Sequence, residues 1–536
     1  MRIATLEVAN YRGIAAARVD FEDTTVLIGE NDCGRSSLLS ALHLALASGE
    51  PGRPLLHDHH FHRNPKGDCA GPLAITLGLV ETRAGEWEGE RLPALRELLG
   101  PRGPQRRTLS LRIEAAPGGA REVRWTIAGE AGEGRNHPGQ LAELRQLCPL
   151  VWLQGGLLLG CTPTADGGAV GPLAEAVETH YHALLEGTGS EPAELLAGFE
   201  AARELLRQRR QVEEAGTAGL LDSIAALAEA RGGPRPAGLQ YHGSAAQQLA
   251  ILILVAAFLR LPAARTDMAA TPVVVIEDPE THLHPITLAS AWGLLQRMPA
   301  QRIIGTHSEA FLAHADLVQL RRLVRSDGRV RQYRLRRGVL DEEGLRKLGY
   351  HVRARRGEAL YARCWLLVEG ETEFWLMPEL ARLAGYELAL EGVAVVEYAQ
   401  CGLEPLIRLA DELGIGWHVL AEGDSTGRNY AAEARKLAGP DRADRLTRLR
   451  EPTIEHCLWE HGYSGVFLHA AGMHPSPHHK VSPARVIARA IKRHSKPFLA
   501  FEVLEASAGS QKPGVPRPLR HAIEVAVHQA RGGIQP

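Results

Sequence analysis

The stretch Val26-Leu27-Ile28-Gly29-Glu30-Asn31-Asp32-Cys33-Gly34-Arg35-Ser36-Ser37-Leu38-Leu39 decides how the first half of the chain folds. An apolar run ends at Gly29, Gly34 follows after a short polar stretch, and the hydroxyls Ser36 and Ser37 open an amphipathic run through Leu42. This is the order strand, phosphate-binding loop, helix. Backbone N–H groups of such a loop and the N-terminus of the following helix cradle phosphates. Gly29, Asn31, Gly34, Ser36 and Ser37 are therefore candidate nucleotide-binding residues, with Ser36 placed to reach Mg2+. Arg35 stands where a lysine is usual. A planar guanidinium is bulkier than an ammonium, so binding can survive while the phosphate register needed for hydrolysis is lost. The loop predicts a nucleotide ligand and leaves turnover open.

Outward from the loop, 536 residues exceed a single core, and two or more domains are expected. The 45% hydrophobic and 23% charged content is that of an ordinary globular protein. A net charge of −2 shows no global basicity, so a nucleic-acid surface has to be local. From Arg321 to Arg337 eight arginines face one Asp327, a run that a solvated strand pair and a phosphate track explain equally. Seven scattered cysteines without a C-x-x-C pair speak against a zinc ribbon or a disulfide framework and fit a reduced cytosol. The N-terminus opens directly into strand alternation, without an export leader. The longest apolar run, Leu249 to Leu259, is too short to cross a bilayer and reads as a buried helix. The expectation is a cytoplasmic protein with no membrane segment.

Strand patterns at 3–8 and 17–21 flank a turn at Asn10-Tyr11-Arg12-Gly13, and further strands read at 74–79 and 108–113 between Pro/Gly-rich loops. Residues 173–231 turn helical and charged, either an inserted arm that pairs two protomers or a plain bundle subdomain. The β-branched run Val273–Ile276 reads as a central parallel strand ending in Glu277 and Asp278. Arg302–Gly305 is a strand ending at Thr306-His307-Ser308. A second α/β region follows a boundary near residue 357, giving domains 1–356 and 357–536. Its strands at 364–368, 393–396 and 417–420 alternate with helices such as 403–413, the pattern of a small parallel sheet with its site at the strand C-termini. Residues 512–518 read as a loop before a last helix.

Taken in order, the loop at Gly29–Ser36, the signature-like Gly243-Ser244-Ala245-Ala246-Gln247, the acidic strand end Glu277-Asp278 and the switch-like His307 resemble the head of ABC-type and SMC-like ATPases. That resemblance implies that Glu277 holds Mg2+ through its shell, Asp278 polarises the attacking water and His307 senses the terminal phosphate. Ser244 and Gln247 would contact ATP held by a partner protomer. Ala245 stands where the family has glycine, so its methyl group and Arg35 weaken the same step from both sides. His282 and His284 are read as turn and packing residues rather than metal ligands.

The second region resembles the topoisomerase-primase (TOPRIM) domain, marked by a glutamate after one strand and D-x-D after another. Here Glu369 holds the first place and Glu422-Gly423-Asp424 the second, with Glu leading. An ABC-type head followed by TOPRIM is similar to the OLD (overcoming lysogenization defect) family of ATP-dependent endonucleases, in its bacterial OLD-like group. The fold class this implies is α/β: an ATPase head with an inserted helical arm, then a smaller parallel-sheet domain. Glu369, Glu373, Glu422, Asp424 and Glu455 would hold Mg2+ or Mn2+, and Lys496 would steady the scissile phosphate. A surface cap at Glu455 and a solvated cation at Lys496 account for those two equally.

The implied activity is phosphodiester cleavage in DNA by a homodimer under ATP control, in phage defence or DNA repair, with a partner protein encoded nearby as a further expectation. A nucleotide-responsive DNA-binding protein with a degenerate ATPase and little cleavage is the alternative. A topoisomerase or primase is disfavoured by the ABC-type head, and nothing marks Tyr430 as a nucleophile.

Overall fold

The computed structural model describes residues 1–46, 56–64, 66–87, 93–99, 106–117, 123–135, 137–154, 158–159, 252, 271–281, 283–473, 482–508 and 513–532. The signature-like segment with Ser244, Ala245 and Gln247, the helical stretch 173–231, the apolar run 249–259 as a helix, and His282 lie outside them. Two compact units divide between Tyr333 and Arg334.

In the first unit the described strands are β1 (Arg2–Tyr11), β2 (Ile14–Asp20), β3 (Thr24–Gly29), β4 (Leu73–Val80), β5 (Thr108–Ala115), β6 (Arg124–Gly129), β7 (Gly132–Arg135), β8 (Leu150–Gln154), β9 (Leu158–Leu159), β10 (Val273–Glu277), β11 (Gln301–Gly305), β12 (Leu320–Ser326) and β13 (Arg329–Tyr333). They form one sheet in the order β7-β6-β5-β4-β1-β2-β13-β12-β3-β11-β10-β8-β9. One wing, β7 to β2, is antiparallel throughout. The other is parallel, with β10 between β11 and β8 and β11 against β3, up to the edge strand β9, which is antiparallel to β8. Strands buried on both faces carry unbroken apolar runs, which is why Val273–Ile276 and Val26–Ile28 are 0% exposed while β4 alternates.

The β12–β13 hairpin joins the wings, since β12 lies parallel to β3 and β13 parallel to β2. This places the arginine-rich run. Arg321 and Arg322 are buried, and Arg321 donates to the carbonyls of Asp20, Val318 and Leu320 and to Glu22. The head of the run is therefore a strand pair, and the buried Arg321 is committed to protein acceptors.

The second unit has four parallel strands in the order β15-β14-β16-β17: β14 (Cys364–Val368), β15 (Val393–Glu397), β16 (Gly416–Ala421) and β17 (Leu446–Arg448). Helices Glu371–Leu383, Leu403–Glu412 and Ser425–Ala438 make the crossovers, and helices Pro483–Arg493, Lys496–Ala508 and Arg517–Ala530 complete a core that includes Leu366, Leu380, Phe467 and Ile523. No helix among the described residues is long and apolar enough to cross a membrane.

His418 sits fully buried on β16, its Nε2 2.9 Å from Thr447 Oγ1 on β17. Burial, with a smaller effect of His521, pushes its pKa down to about 3. The unfolded imidazole titrates near ~6.5, so folding keeps His418 neutral where the unfolded chain takes a proton. Its stabilising effect is complete above that value and is lost as pH falls toward 3. The unfolding free energy from urea titration is expected to drop between pH 6.5 and 4 by up to about 1.4 kcal/mol per pH unit from this group. In the double variant His418→Leu with Thr447→Val, which removes both polar partners, circular dichroism should show a flatter acid limb.

Candidate functional site

The phosphate loop closes as its residue types require. Gly29 at φ +154° and Gly34 at φ +100° adopt backbone angles that side chains avoid. A Cβ at Gly29 would lie 2.5 Å from the Leu323 carbonyl oxygen and 2.8 Å from Cys33 Sγ. Asn31 and Ser36 are exposed at the mouth, Ser37 is half-buried, and the loop runs directly into helix Arg35–Leu46. Parallel pairing brings the ends of β3, β11 and β10 side by side, so Ser36 Oγ donates to Glu277 Oε1. A hydroxyl against a carboxylate at a helix N-terminus is an oxygen donor pair suited to Mg2+ beside a phosphate chain.

Arg35 does not point into the loop. Its guanidinium, 8% exposed, donates to the Thr306 carbonyl and meets the His307 ring, with Nδ1 at 2.7 Å. Asp278, at φ +49°, sits 3.8 Å from His307 Nε2. Glu280, which the motif reading passed over, accepts from Thr306 Oγ1 at 2.8 Å and from the His307 amide at 2.7 Å. Its signal was available as a carboxylate in the turn after Glu277-Asp278-Pro279. The loop cation and the residue expected to sense the terminal phosphate thus hold each other in this state.

In the second unit Glu369 follows β14 and Glu422 follows β16, two neighbouring parallel strands. The loop after β16 is zipped to residues 449–454. The Leu449, Gly423 and Asp424 amides take part in backbone bonds of 2.9, 2.9 and 3.2 Å with Ala421, Glu451 and Pro452. Gly423 is needed there because a Cβ would lie 2.3 Å from the Glu451 carbonyl oxygen. Glu422 Oε1 accepts from the Ile454 amide at 2.9 Å, which draws in Glu455, 4% exposed, whose Oε1 faces Thr372 Oγ1 at 3.5 Å. Asp424 caps helix Ser425–Ala438 through the Gly427 amide at 2.7 Å. Glu373 is buried in helix Glu371–Leu383.

The electrostatics report the same convergence. The Glu422 carboxyl is pushed up to about 7, first by burial and then by the charges of Glu369, Glu455 and Asp424, against the opposing Ile454 hydrogen bond. Tyr398 is pushed up by burial and by Glu369, Glu373 and Glu422. Tyr430, packed edge-on to Tyr398, is also raised by burial and Glu369. Among the described residues no three carboxylate, imidazole or thiolate groups are already gathered as a metal-coordination set. The donors nevertheless fit hard divalent ions: all are oxygens, and a dication would relieve the repulsion that raises Glu422. Lys496 opens helix Lys496–Ala508, and its side chain lies outside the described residues.

A family model described as a protein of unknown function (DUF2813) matches residues 1–128 and 237–359. Another, for the TOPRIM domain of overcoming lysogenization defect protein-like proteins, matches 360–424. Uncharacterized protein YbjD of Escherichia coli is 34% identical over 99% of this chain and 100% of its own length. OLD nuclease of Thermus scotoductus is 28% identical over 47% of each chain. Among solved structures, the SMC head domain from Thermotoga maritima is 14% identical, covering 63% of this chain and 100% of that one at a TM-score of 0.37.

Releasing His307 should speed ATP turnover. Arg35→Lys is expected to raise phosphate release on the order of tenfold, the equivalent of about 1.4 kcal/mol no longer holding the ring. Equal rates in the wild type and the variant would show that the contact does not limit hydrolysis.

Proposed function

The chain belongs to the OLD-like family, an ATPase head joined to a TOPRIM domain, and from that premise we propose that it is a metal-dependent DNA endonuclease whose head binds ATP and controls cutting. The single observation that carries the reading is geometric: Glu369 and Glu422 follow the neighbouring parallel strands β14 and β16, and the Ile454 amide that bonds Glu422 brings in Glu455. Carboxylates delivered to one sheet edge in this way suit a hard cation.

Glu369, Glu422 and Asp424 would hold the ions, with Glu373 and Glu455 as further ligands. When bound, two Mg2+ or Mn2+ ions would supply Lewis-acid stabilisation of the attacking and leaving oxygens of the phosphodiester. The chain's own residues keep the ligands in place. The Ile454 amide orients Glu422, and the Gly427 amide takes one Asp424 oxygen and leaves the other for an ion. Tyr398, fully buried with its hydroxyl donating to the Leu420 carbonyl at 3.2 Å, would give the site an apolar ring beside its carboxylates.

In the head, Gly29, Gly34 and the Arg35–Leu46 helix N-terminus would cradle the phosphates, and Ser36 with Glu277 would take Mg2+. The Arg35–His307 contact favours a head that binds ATP and turns it over slowly, and this supports the second reading, a nucleotide-responsive DNA-binding protein with little cleavage. Pairing of two protomers through the head belongs to the same proposal. So do cytoplasmic residence and a role in phage defence or repair.

Purified protein is expected to nick or linearise plasmid DNA with Mg2+ or Mn2+ and to lose the activity in EDTA. Glu369→Gln should lower the rate by at least ~100-fold, given that outer-shell partners of metal ligands alone cost roughly 10- to 100-fold. Cutting that survives this exchange on an agarose gel would refute the assignment of the site.

A further inference from the structure

Beside the carboxylates the second unit has a cavity of about 350 Å³, lined among others by His351, Arg355, Arg356, Phe374, Trp375 and Gln400. We propose that this cavity receives one unpaired nucleotide of the bound DNA strand, so that the cut site is read next to a gap, flap or unstacked base. The inference rests on the nuclease reading for the identity of the strand; the pocket's chemistry stands apart from it.

Size comes first. A cavity near the lower end of the range for small-molecule sites holds a base with its sugar and excludes a stacked pair. Its walls offer what a single base lacks once it leaves the helix. Trp375 is 45% exposed, its ring 5.5 Å from Phe374, and it continues outward to Phe501, 54% exposed, at 6.4 Å. Exposed aromatic faces in a row next to cations are the means by which proteins hold single strands without reading sequence. Gln400, exposed at the edge, has an amide that can donate to or accept from any base.

Charge is arranged to suit. The one carboxylate in the lining, Glu397, is neutralised by Arg356 at 2.8 Å, and the same guanidinium lies 3.6 Å above the Phe374 ring, fixing that wall. Arg355 is exposed at the rim, 5.5 Å from the Tyr350 ring, with His351 on the same turn of helix. Arg355 supplies the positive charge for a phosphate at the rim when the base enters, while burial and the Arg355 charge hold the His351 imidazole below its ordinary pKa. Such positive charge is needed here because the neighbouring carboxylates repel the backbone on their side.

The pocket and the cluster share backbone. Phe374 directly follows Glu373, and the Ala399 amide, one residue before Gln400, donates to the Glu369 carbonyl oxygen at 3.2 Å. A nucleotide seated in the cavity would therefore place its neighbouring phosphodiester beside the metal-binding residues.

The test uses the full-length protein in EDTA, so that no cutting occurs, with fluorescence anisotropy of a fully paired duplex and of the same duplex carrying a short gap. The gapped duplex is expected to bind more tightly. Trp375→Ala should weaken the gapped complex roughly 5- to 100-fold, leave the paired one unchanged, and be largely rescued by Trp375→Phe. Arg355→Ala should lower the salt slope for the gapped duplex by about 1. Equal losses on both duplexes, or no preference for the gap, would overturn the proposal. So would a free deoxynucleoside monophosphate that binds saturably, with loss in Trp375→Ala, while gapped and paired DNA bind alike. Because metal is absent, a protein that prefers gaps yet never cuts plasmid would sink the nuclease reading and leave the pocket standing. A protein that cuts without the preference does the reverse.

Discussion

Parallel pairing of strands is the constraint on which both units depend. In a parallel sheet every strand ends on the same edge, so groups far apart in the chain meet there without a dedicated scaffold. Ser36 and Glu277, 241 residues apart, touch because β3, β11 and β10 run the same way. Glu369 and Glu422 meet for the same reason at β14 and β16. Were any of these strands to run in reverse, its terminal residue would move to the opposite edge and the site would lose a member. The antiparallel wing of the first unit contributes no such group, and its strands show the ordinary alternation of one buried face.

The same constraint creates an electrostatic problem. Carboxylates delivered to one edge repel, and at Glu422 that repulsion adds to partial burial to hold the proton to near neutral pH. Such an arrangement disfavours the charged folded state at neutral pH, so a dication bound there, as proposed, would displace a proton. The neighbouring Glu397, by contrast, is discharged by Arg356, and Glu81 in the first unit by Arg107 at 2.8 Å. Within one chain, then, Glu397 and Glu81 are matched by arginine, whereas Glu422 is surrounded by the charges of Glu369, Glu455 and Asp424. That difference is what the proposed metal site rests on.

Much of this was legible from residue order. Short, largely apolar runs mark strands buried on both faces, so β3, β10, β11, β14 and β16 are legible as strands, with Glu277, Glu369 and Glu422 at or just after the ends of β10, β14 and β16. The loop glycines declared themselves because only glycine accepts the φ values at 29 and 34. The β12–β13 hairpin was not legible as the bridge between the wings, since local alternation says nothing about which distant strand will pair. Nor was the burial of Arg321, because a guanidinium reaches carbonyls that only the folded sheet brings near. Glu280 was legible as a carboxylate in the turn after β10, but its role was not. Its partners Thr306 and His307 follow the end of β11, 26 and 27 residues away.

The orientation of Arg35 bears on how the head couples to the rest of its chemistry. A lysine at this place ends in a compact ammonium on a flexible stem, whereas arginine presents a fork that can bond a carbonyl and a ring at once. Here both arms are taken by Thr306 and His307, while Glu280 holds the same two residues from the other side through a hydroxyl and an amide. On the function proposed above, a phosphate that drew the guanidinium away from these acceptors would free His307 from its partner, and binding and movement of the histidine would be linked through a single side chain. Such a linkage would let nucleotide occupancy be felt at the strand ends even where hydrolysis is slow, because the conformational work would be done by binding and not by bond cleavage.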